Sequence, residues 1–149
     1  MIRKLAVFYL LLPMTAATAA ETVLEVGPAF MFRRPGIGMA AVWTERVGGW
    51  DVGMLFVSPQ HLHGQKLAAN AGLRLARSVR CGRAELGLGL GLGYWAHSSD
   101  SFGHRQIFEL TAGWHVSSRV ALRFRHYSNA GQATPNVGQN MVTASWSFQ

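Results

Sequence analysis

The sequence is short of cysteine and of acidic residues. Cys81 is the single cysteine, which excludes a disulfide bond within the chain. The chain has 7 Asp and Glu residues against 14 Lys and Arg, a formal net charge of +7, and no acid follows Glu109. The segment after Glu109 therefore has no carboxylate side chain for catalysis or for metal binding.

Long apolar runs are also absent beyond the N-terminus. Residues 1–20 have a positive start, an apolar stretch and the small-residue pattern Ala17-Thr18-Ala19, which together indicate a secretory signal peptide. No later stretch reaches the length of about 18 apolar residues that a transmembrane helix needs. We expect an exported chain with a single domain over residues 21–149. Such a chain is not expected to meet nucleic acid, and its basic charge suits an anionic membrane surface.

The sequence does contain alternation with a period of two residues. From Arg119 to Ser128, apolar side chains followed by His126 and Ser128 occupy the even positions, and the arginines and Tyr127 occupy odd ones. A strand sends alternate side chains to opposite faces, whereas a helix would mix these positions. Similar segments predict eight strands, at residues 22–33, 37–46, 50–57, 67–77, 83–95, 105–115, 119–128 and 140–148.

The connections and the polar face of these strands favour a membrane barrel. Short turns alternate with longer polar connections, which is typical of outer-membrane barrels. The polar face carries arginines and a ladder of glycines from Gly87 to Gly93, and small side chains suit a narrow lumen. We predict an all-β, eight-stranded antiparallel transmembrane outer-membrane β-barrel. An exported soluble β-sandwich or lipocalin-like barrel is the alternative. An even strand number puts both termini on the periplasmic side and the end of strand seven on the extracellular side.

His126 and Ser128 are the candidate catalytic residues. Their parity puts them on the apolar, lipid-facing side of strand seven, where an unpaired polar group costs several kcal/mol. Residues two apart on a strand lie about 6.5–7 Å from each other at the Cα, so the imidazole can reach the hydroxyl. A serine needs such a base to become a nucleophile. The parity of these positions is equally consistent with a simpler interpretation. In that interpretation His126 and Ser128 are two polar residues that hydrogen-bond to lipid head groups.

The surrounding sequence gives this pair a chemical context. The segment His126-Tyr127-Ser128-Asn129-Ala130-Gly131 resembles the H-x-S-N segment of the PagL-type lipid A 3-O-deacylases. The resemblance extends from Arg119 to Phe148 and includes Pro135-Asn136-x-Gly138. It implies an outer-membrane carboxylic ester hydrolase that removes the 3-O-linked 3-hydroxyacyl chain of lipid A, in lipopolysaccharide, without a metal or other cofactor. It also implies that His126 and Ser128 are catalytic and that Asn129 and Gly131 stabilise the oxyanion.

One position departs from the family pattern. The family has an acidic residue in the following strand that hydrogen-bonds to the histidine, and here parity puts Asn140 on the same face as His126. An asparagine can accept a hydrogen bond from the imidazole and fix its tautomer, but it cannot stabilise an imidazolium by charge. We expect Gln139 to point inward, and Glu85 and Glu109 to face the lumen.

Other polar residues lie near the predicted outer ends of strands. Arg33, Arg34 and Arg105 are candidates for contacts with the phosphates of lipid A, although solvated loop charges explain them equally well. No metal site is expected, because the loop histidines lack a full set of ligands. These loop groups are His61 with His63, and His97 and His104 with Asp100.

Two alternative functions stay open at this point. The first is a non-enzymatic eight-stranded barrel, an adhesin or a structural protein, in which His126 and Ser128 have no chemical role. The second is another outer-membrane acyl enzyme, such as a phospholipase or a palmitoyltransferase. The sequence also leaves the oligomeric state open, a homodimer included.

Overall fold

The computed structural model describes residues 20–31, 34–62, 65–67, 69–95, 106–132 and 138–148. The predicted signal peptide lies outside these residues except for Ala20. The described residues form the strands β1 (Glu21–Met31), β2 (Arg34–Val47), β3 (Trp50–Val57), β4 (Gln60–Leu62), β5 (Gln65–Leu67), β6 (Asn70–Cys81), β7 (Ala84–Trp95), β8 (Gln106–His115), β9 (Val120–Ser128) and β10 (Gln139–Phe148).

Eight of these strands close into an antiparallel barrel in the order β1-β10-β9-β8-β7-β6-β3-β2. The predicted eight-stranded all-β barrel is therefore confirmed. β4 and β5 pair with each other, and all their residues except Leu67 lie between the predicted strands 50–57 and 67–77, where the sequence predicted a polar connection without strands. That detail was wrong because two strands of three residues each are too short to show a period of two.

The two ends of the barrel differ in their connections. The start of β1 and the end of β10 lie at one end with the short turns 48–49, 82–83 and 116–119, which we call the short-turn end. Gly48 and Gly49 have φ of 57° and 81°, the left-handed pair that a two-residue hairpin turn requires. β1 ends and β2 begins at the opposite end, as do the pairs β3 and β6, β7 and β8, and β9 and β10, and we call this the long-loop end. No helix in the described part of the chain is long and apolar enough to cross a membrane.

The outer wall of the barrel is apolar. Exposed leucine, valine and aromatic side chains alternate with buried positions along the strands, and Leu86 and Trp114 are 63% and 55% exposed. Trp114, Trp146 and Phe148 cluster toward the short-turn end, where an aromatic girdle is expected. A continuous exposed apolar belt of this kind suits contact with lipid.

The lumen holds an ion-pair network at the level of three buried glutamates. Arg74 Nη2 donates to Glu109 Oε1 at 2.6 Å, and Arg125 donates to both Glu109 and Glu25. Arg46, Arg123 and His115 converge on Glu85 in the same way. Toward the long-loop end the lumen is filled instead by an apolar cluster, whose members are Ala29, Ala40, Val42, Leu55, Val57, Ile107, Tyr127 and Met141.

The glycine ladder of β7 makes room for this filling. A Cβ atom on Gly89 would lie 2.6 Å from Ala76 Cβ, and one on Gly91 would lie 2.6 Å from Ile107 Cγ1. Both distances are shorter than real contacts. The absence of side chains at Gly89 and Gly91 thus leaves space for the lumen side chains of neighbouring strands.

We expect Glu109→Gln to destabilise the barrel strongly. The substitution removes the negative charge between Arg74 and Arg125, and breaking a buried ion pair from one side costs about 3–5 kcal/mol. The measurement is urea-induced unfolding in phospholipid vesicles, followed by tryptophan fluorescence.

Glu45→Gln is the matched control for this experiment. The Glu45 carboxylate is partly exposed and accepts one hydrogen bond, from Thr22 Oγ1 at 2.7 Å. Its loss should cost less than about 1 kcal/mol. Equal shifts of the unfolding midpoint in the two variants would contradict a central role for the network.

Candidate active site

His126 and Ser128 lie on the outer wall of β9 at the long-loop end. Burial alternates along this strand, and both residues are half-buried on the same face as Leu122, which is 52% exposed. Ser128 is the last residue of the strand. The pair therefore lies where the exposed apolar wall reaches the long-loop end of the barrel.

Asn140 lies opposite His126 on β10. The two residues are register partners, and His126 Nδ1 lies 2.8 Å from Asn140 Oδ1. An amide oxygen only accepts hydrogen bonds, so His126 Nδ1 carries the proton and donates it. The second ring nitrogen, Nε2, is then unprotonated in the neutral imidazole and is available as a base.

The orientation of the Asn140 amide has its own cause. Asn140 Nδ2 donates to the backbone carbonyl oxygen of Phe30 at 3.4 Å, and the residue is fully buried. Phe30 is its register partner on β1. Because the carbonyl accepts from the NH₂ group, the amide oxygen of Asn140 faces the imidazole.

The carboxylates of the described residues are engaged elsewhere. Glu21, Glu25, Asp51, Glu85 and Glu109 form ion pairs with arginines, and Glu45 accepts from Thr22. The expectation that Glu85 and Glu109 face the lumen agrees with their burial at 2% exposure each. Asn140 is thus the polar side chain that the structure brings to His126 Nδ1.

A tight turn follows Ser128. Gly131 N donates to Asn129 Oδ1 at 2.8 Å, and Gln132 N donates to the Asn129 carbonyl at 3.1 Å. Ala130 and Gly131 are both left-handed, with φ of 52° and 76°. Such a conformation is uncommon for alanine and stores backbone strain of the kind found near functional sites. The structure brings Asn129 and Gly131 together, and their role toward an oxyanion stays a prediction.

Gly138 contributes in a way that the sequence motif did not show. Its φ is 75°, and a Cβ atom on it would lie 2.8 Å from His126 Cε1. The residue therefore packs its bare backbone against the imidazole. The motif in the sequence contained this glycine, but only the fold shows that it lies against the histidine ring.

Most of the other predicted site residues lie outside the described part of the chain. Arg33 and Arg105 lie outside the described residues, and Arg34 begins β2 at the long-loop end. His63, His97, Asp100 and His104 also lie outside them. Over the described residues, no group of three or more His, Cys, Asp or Glu side chains could hold a metal ion.

A shallow apolar depression lies on the outer wall below the pair. It is formed between β8, β9 and β10 and is lined by Ala112, Trp114, Leu122, Phe124 and Val142 among others. Leu122 and Phe124 precede His126 on the same face of β9.

Comparisons with known proteins bear on this arrangement. A family model described as Lipid A 3-O-deacylase (PagL) matches residues 24–149. The crystal structure of the outer membrane enzyme PagL is similar, with 16% identity, a TM-score of 0.53, and coverage of 87% of this chain and 99% of that chain. Neisserial surface protein A is similar at 12% identity and a TM-score of 0.51, over 89% of this chain and 98% of that chain. A search of curated proteins finds no match.

We expect Gly138→Ala to displace the His126 ring. The new Cβ would enter the space of His126 Cε1, and the left-handed backbone adds a cost of about 1–2 kcal/mol for a non-glycine residue. The measurement is the NMR resonance of the His126 Cε1–Hε1 group in detergent micelles. Gly131→Ala is the matched control, because its φ is similar but its Cβ would meet nothing within 4 Å. A ring resonance that moves equally in both variants would contradict the contact.

Proposed function

The chain belongs to the PagL family of lipid A 3-O-deacylases, and on this premise we propose that it hydrolyses the ester at the 3 position of lipid A. The substrate is the 3-O-linked 3-hydroxyacyl chain of lipopolysaccharide in the outer leaflet of the outer membrane. The observation that carries the proposal is the hydrogen bond of 2.8 Å from His126 Nδ1 to Asn140 Oδ1. It leaves Nε2 as a base two residues from Ser128, on the lipid-facing wall.

The proposed mechanism is a serine esterase cycle. Ser128 Oγ attacks the acyl carbonyl carbon while His126 Nε2 takes the hydroxyl proton. The tetrahedral intermediate collapses, the 3-oxygen of the sugar leaves with that proton, and the acyl group stays on Ser128. Water then gives a proton to His126 and attacks the acyl carbonyl. The fatty acid leaves, and the proton returns to Ser128.

The oxyanion donors are assigned to the turn after Ser128. The hydrogen bond from Gly131 N to Asn129 Oδ1 holds the Asn129 amide in one orientation. We assign the Asn129 NH₂ group to the negative oxygen of the intermediate, and Gly131 contributes by holding that amide through its backbone N–H. Donors that are fixed before the reaction stabilise such an oxygen without reorganisation.

The position of the site suits an amphiphilic substrate. The acyl chain lies in the apolar depression between Trp114 and Phe124 in this proposal, and the ester bond reaches Ser128 at the level of the loops. Arg33, Arg34 and Arg105 are proposed to meet the phosphates of lipid A. No cofactor is required, and a homodimer is not needed for this arrangement.

We expect cells that express the chain to lose one 3-hydroxyacyl group from their lipid A. Ser128→Ala should lower the rate by at least about 10³-fold, because the nucleophile is lost while the oxyanion donors remain. The measurement is mass spectrometry of extracted lipid A.

Ser147→Ala, on the inward-facing side of β10, controls for expression and insertion. Persistent deacylation by the Ser128→Ala variant would exclude the serine mechanism. Intact lipid A in cells with the parent chain would favour a non-enzymatic barrel, and loss of a different acyl chain would favour another acyl enzyme.

We expect Asn140→Asp to raise the rate of acyl transfer. A carboxylate stabilises the imidazolium by charge, and charge-assisted hydrogen bonds are roughly twice as strong as neutral ones. A gain of about tenfold in kcat corresponds to roughly 1.4 kcal/mol. The measurement is release of fatty acid from lipid A in mixed micelles. Equal kcat values in the parent, Asn140→Asp and Asn140→Leu, with folding unchanged, would show that residue 140 does not act through His126.

A further inference from the structure

Side-chain amides connect the active-site histidine to the interior of the barrel. Gln139 precedes Asn140 on β10 but faces inward and is 1% exposed. Its Nε2 donates to the same Phe30 carbonyl oxygen, at 3.2 Å, that accepts from Asn140 Nδ2 at 3.4 Å. One backbone carbonyl thus receives an amide from each face of β10.

A second glutamine holds Gln139 in turn. Gln60, the first residue of β4, is 2% exposed and donates from Nε2 to Gln139 Oε1 at 3.2 Å. Gly38 makes room for it, since a Cβ atom there would lie 2.8 Å from Gln60 Cγ. Because Gln139 Oε1 accepts from Gln60, its NH₂ group must face Phe30.

The register of the sheet explains why the Phe30 carbonyl needs additional hydrogen bonds at this position. The pairing of β1 with β10 ends at Phe30 and Asn140, and the register of β1 with β2 shifts between Phe30 and Met31. The Phe30 carbonyl therefore lies where the regular ladder stops. Irregular pairing of this kind is often found beside active sites.

The orientation of Asn140 decides the chemistry of His126. With Nδ2 toward Phe30, the amide oxygen faces the ring, Nδ1 is protonated and Nε2 is the base. If the amide rotated by 180°, NH₂ would face the ring, Nδ1 would become the acceptor and Nε2 would carry the proton. In the proposed mechanism, Nε2 could then not accept the proton of Ser128.

We propose that Gln139 and Gln60 are positioning residues that fix the Phe30 carbonyl and thereby the amide orientation of Asn140 and the tautomer of His126. The proposal rests on the proposed function for its effect on rate. Its effect on the tautomer of His126 stands without that function. It makes the hairpin of β4 and β5 at the long-loop end a support of the catalytic histidine.

The first test is Gln139→Leu, which keeps the size of the side chain and removes its hydrogen bonds to Phe30, to Gln60 and to the backbone carbonyl of Asn140. We expect kcat to fall about fivefold, the effect of one neutral hydrogen bond, with KM unchanged. We also expect ¹⁵N NMR of histidine-labelled protein to show His126 as a mixture of tautomers, where the parent has the Nδ1–H form alone. The His126→Gln variant assigns the resonance. Gln60→Leu should shift both readouts in the same direction and by less.

Ser145→Ala is the matched control. Ser145 faces inward on the same strand and donates to the backbone carbonyl of Ala121 at 3.0 Å, so its loss removes a similar bond far from the site. It should leave kcat and the tautomer unchanged. Heat modifiability on SDS gels shows that each variant is folded.

The decisive measurement is a double-mutant cycle with Asn140→Asp. The two oxygens of a carboxylate are equivalent, so its orientation no longer decides the tautomer. The fivefold effect of Gln139→Leu should therefore disappear in the Asn140→Asp background. An equal effect in both backgrounds, or an unchanged tautomer in Gln139→Leu, would overturn the proposal. If the parent releases no fatty acid, the proposed function fails, and the NMR readout alone decides the role of the glutamines.

Discussion

β1 pairs with β10 from Thr22 and Phe148 to Phe30 and Asn140, and this pairing closes the sheet on itself. In a lipid environment an open edge would leave backbone N–H and C=O groups without partners, so closure is a requirement and not an option. Eight strands enclose a narrow space. Every inward-facing position must therefore be filled or left without a side chain, as at Gly89. The outward positions are left to contact lipid, and the candidate catalytic residues His126 and Ser128 are among them.

The closed lumen also explains where the acidic residues are. Arginines fill the space with long side chains, and each buried guanidinium needs a carboxylate, since an unpaired buried charge is strongly unfavourable. Glu25, Glu85 and Glu109 form these ion pairs inside the barrel. On the outer wall His126 has a neutral amide as its partner instead. A buried carboxylate at Asn140 would need compensation beside the Phe30 carbonyl, whereas an amide donates to that carbonyl and accepts from the ring.

Much of the candidate site could be predicted from the sequence because parity is a local property. The period of two assigned His126, Ser128 and Asn140 to one face, and the register of β9 with β10 then brings His126 and Asn140 together. The contribution of Gly138 could not be predicted, because its contact with the imidazole depends on the path of the connection between two strands. The role of Gln60 could not be predicted either, because its hydrogen-bond partner Gln139 is distant in the chain. Its own strand, β4, is also too short to show a period of two.

The sequence by itself determined the alternation of faces, the number of barrel strands and the family motif from His126 to Gly131. Each of these depends only on residues that are neighbours in the chain. The tertiary structure decided which nitrogen of His126 carries the proton. That choice depends on an amide held by the Phe30 carbonyl on a strand at the other end of the chain. Hydrogen-bond orientation between strands far apart in sequence exists only once the barrel has closed, so no local pattern can encode it.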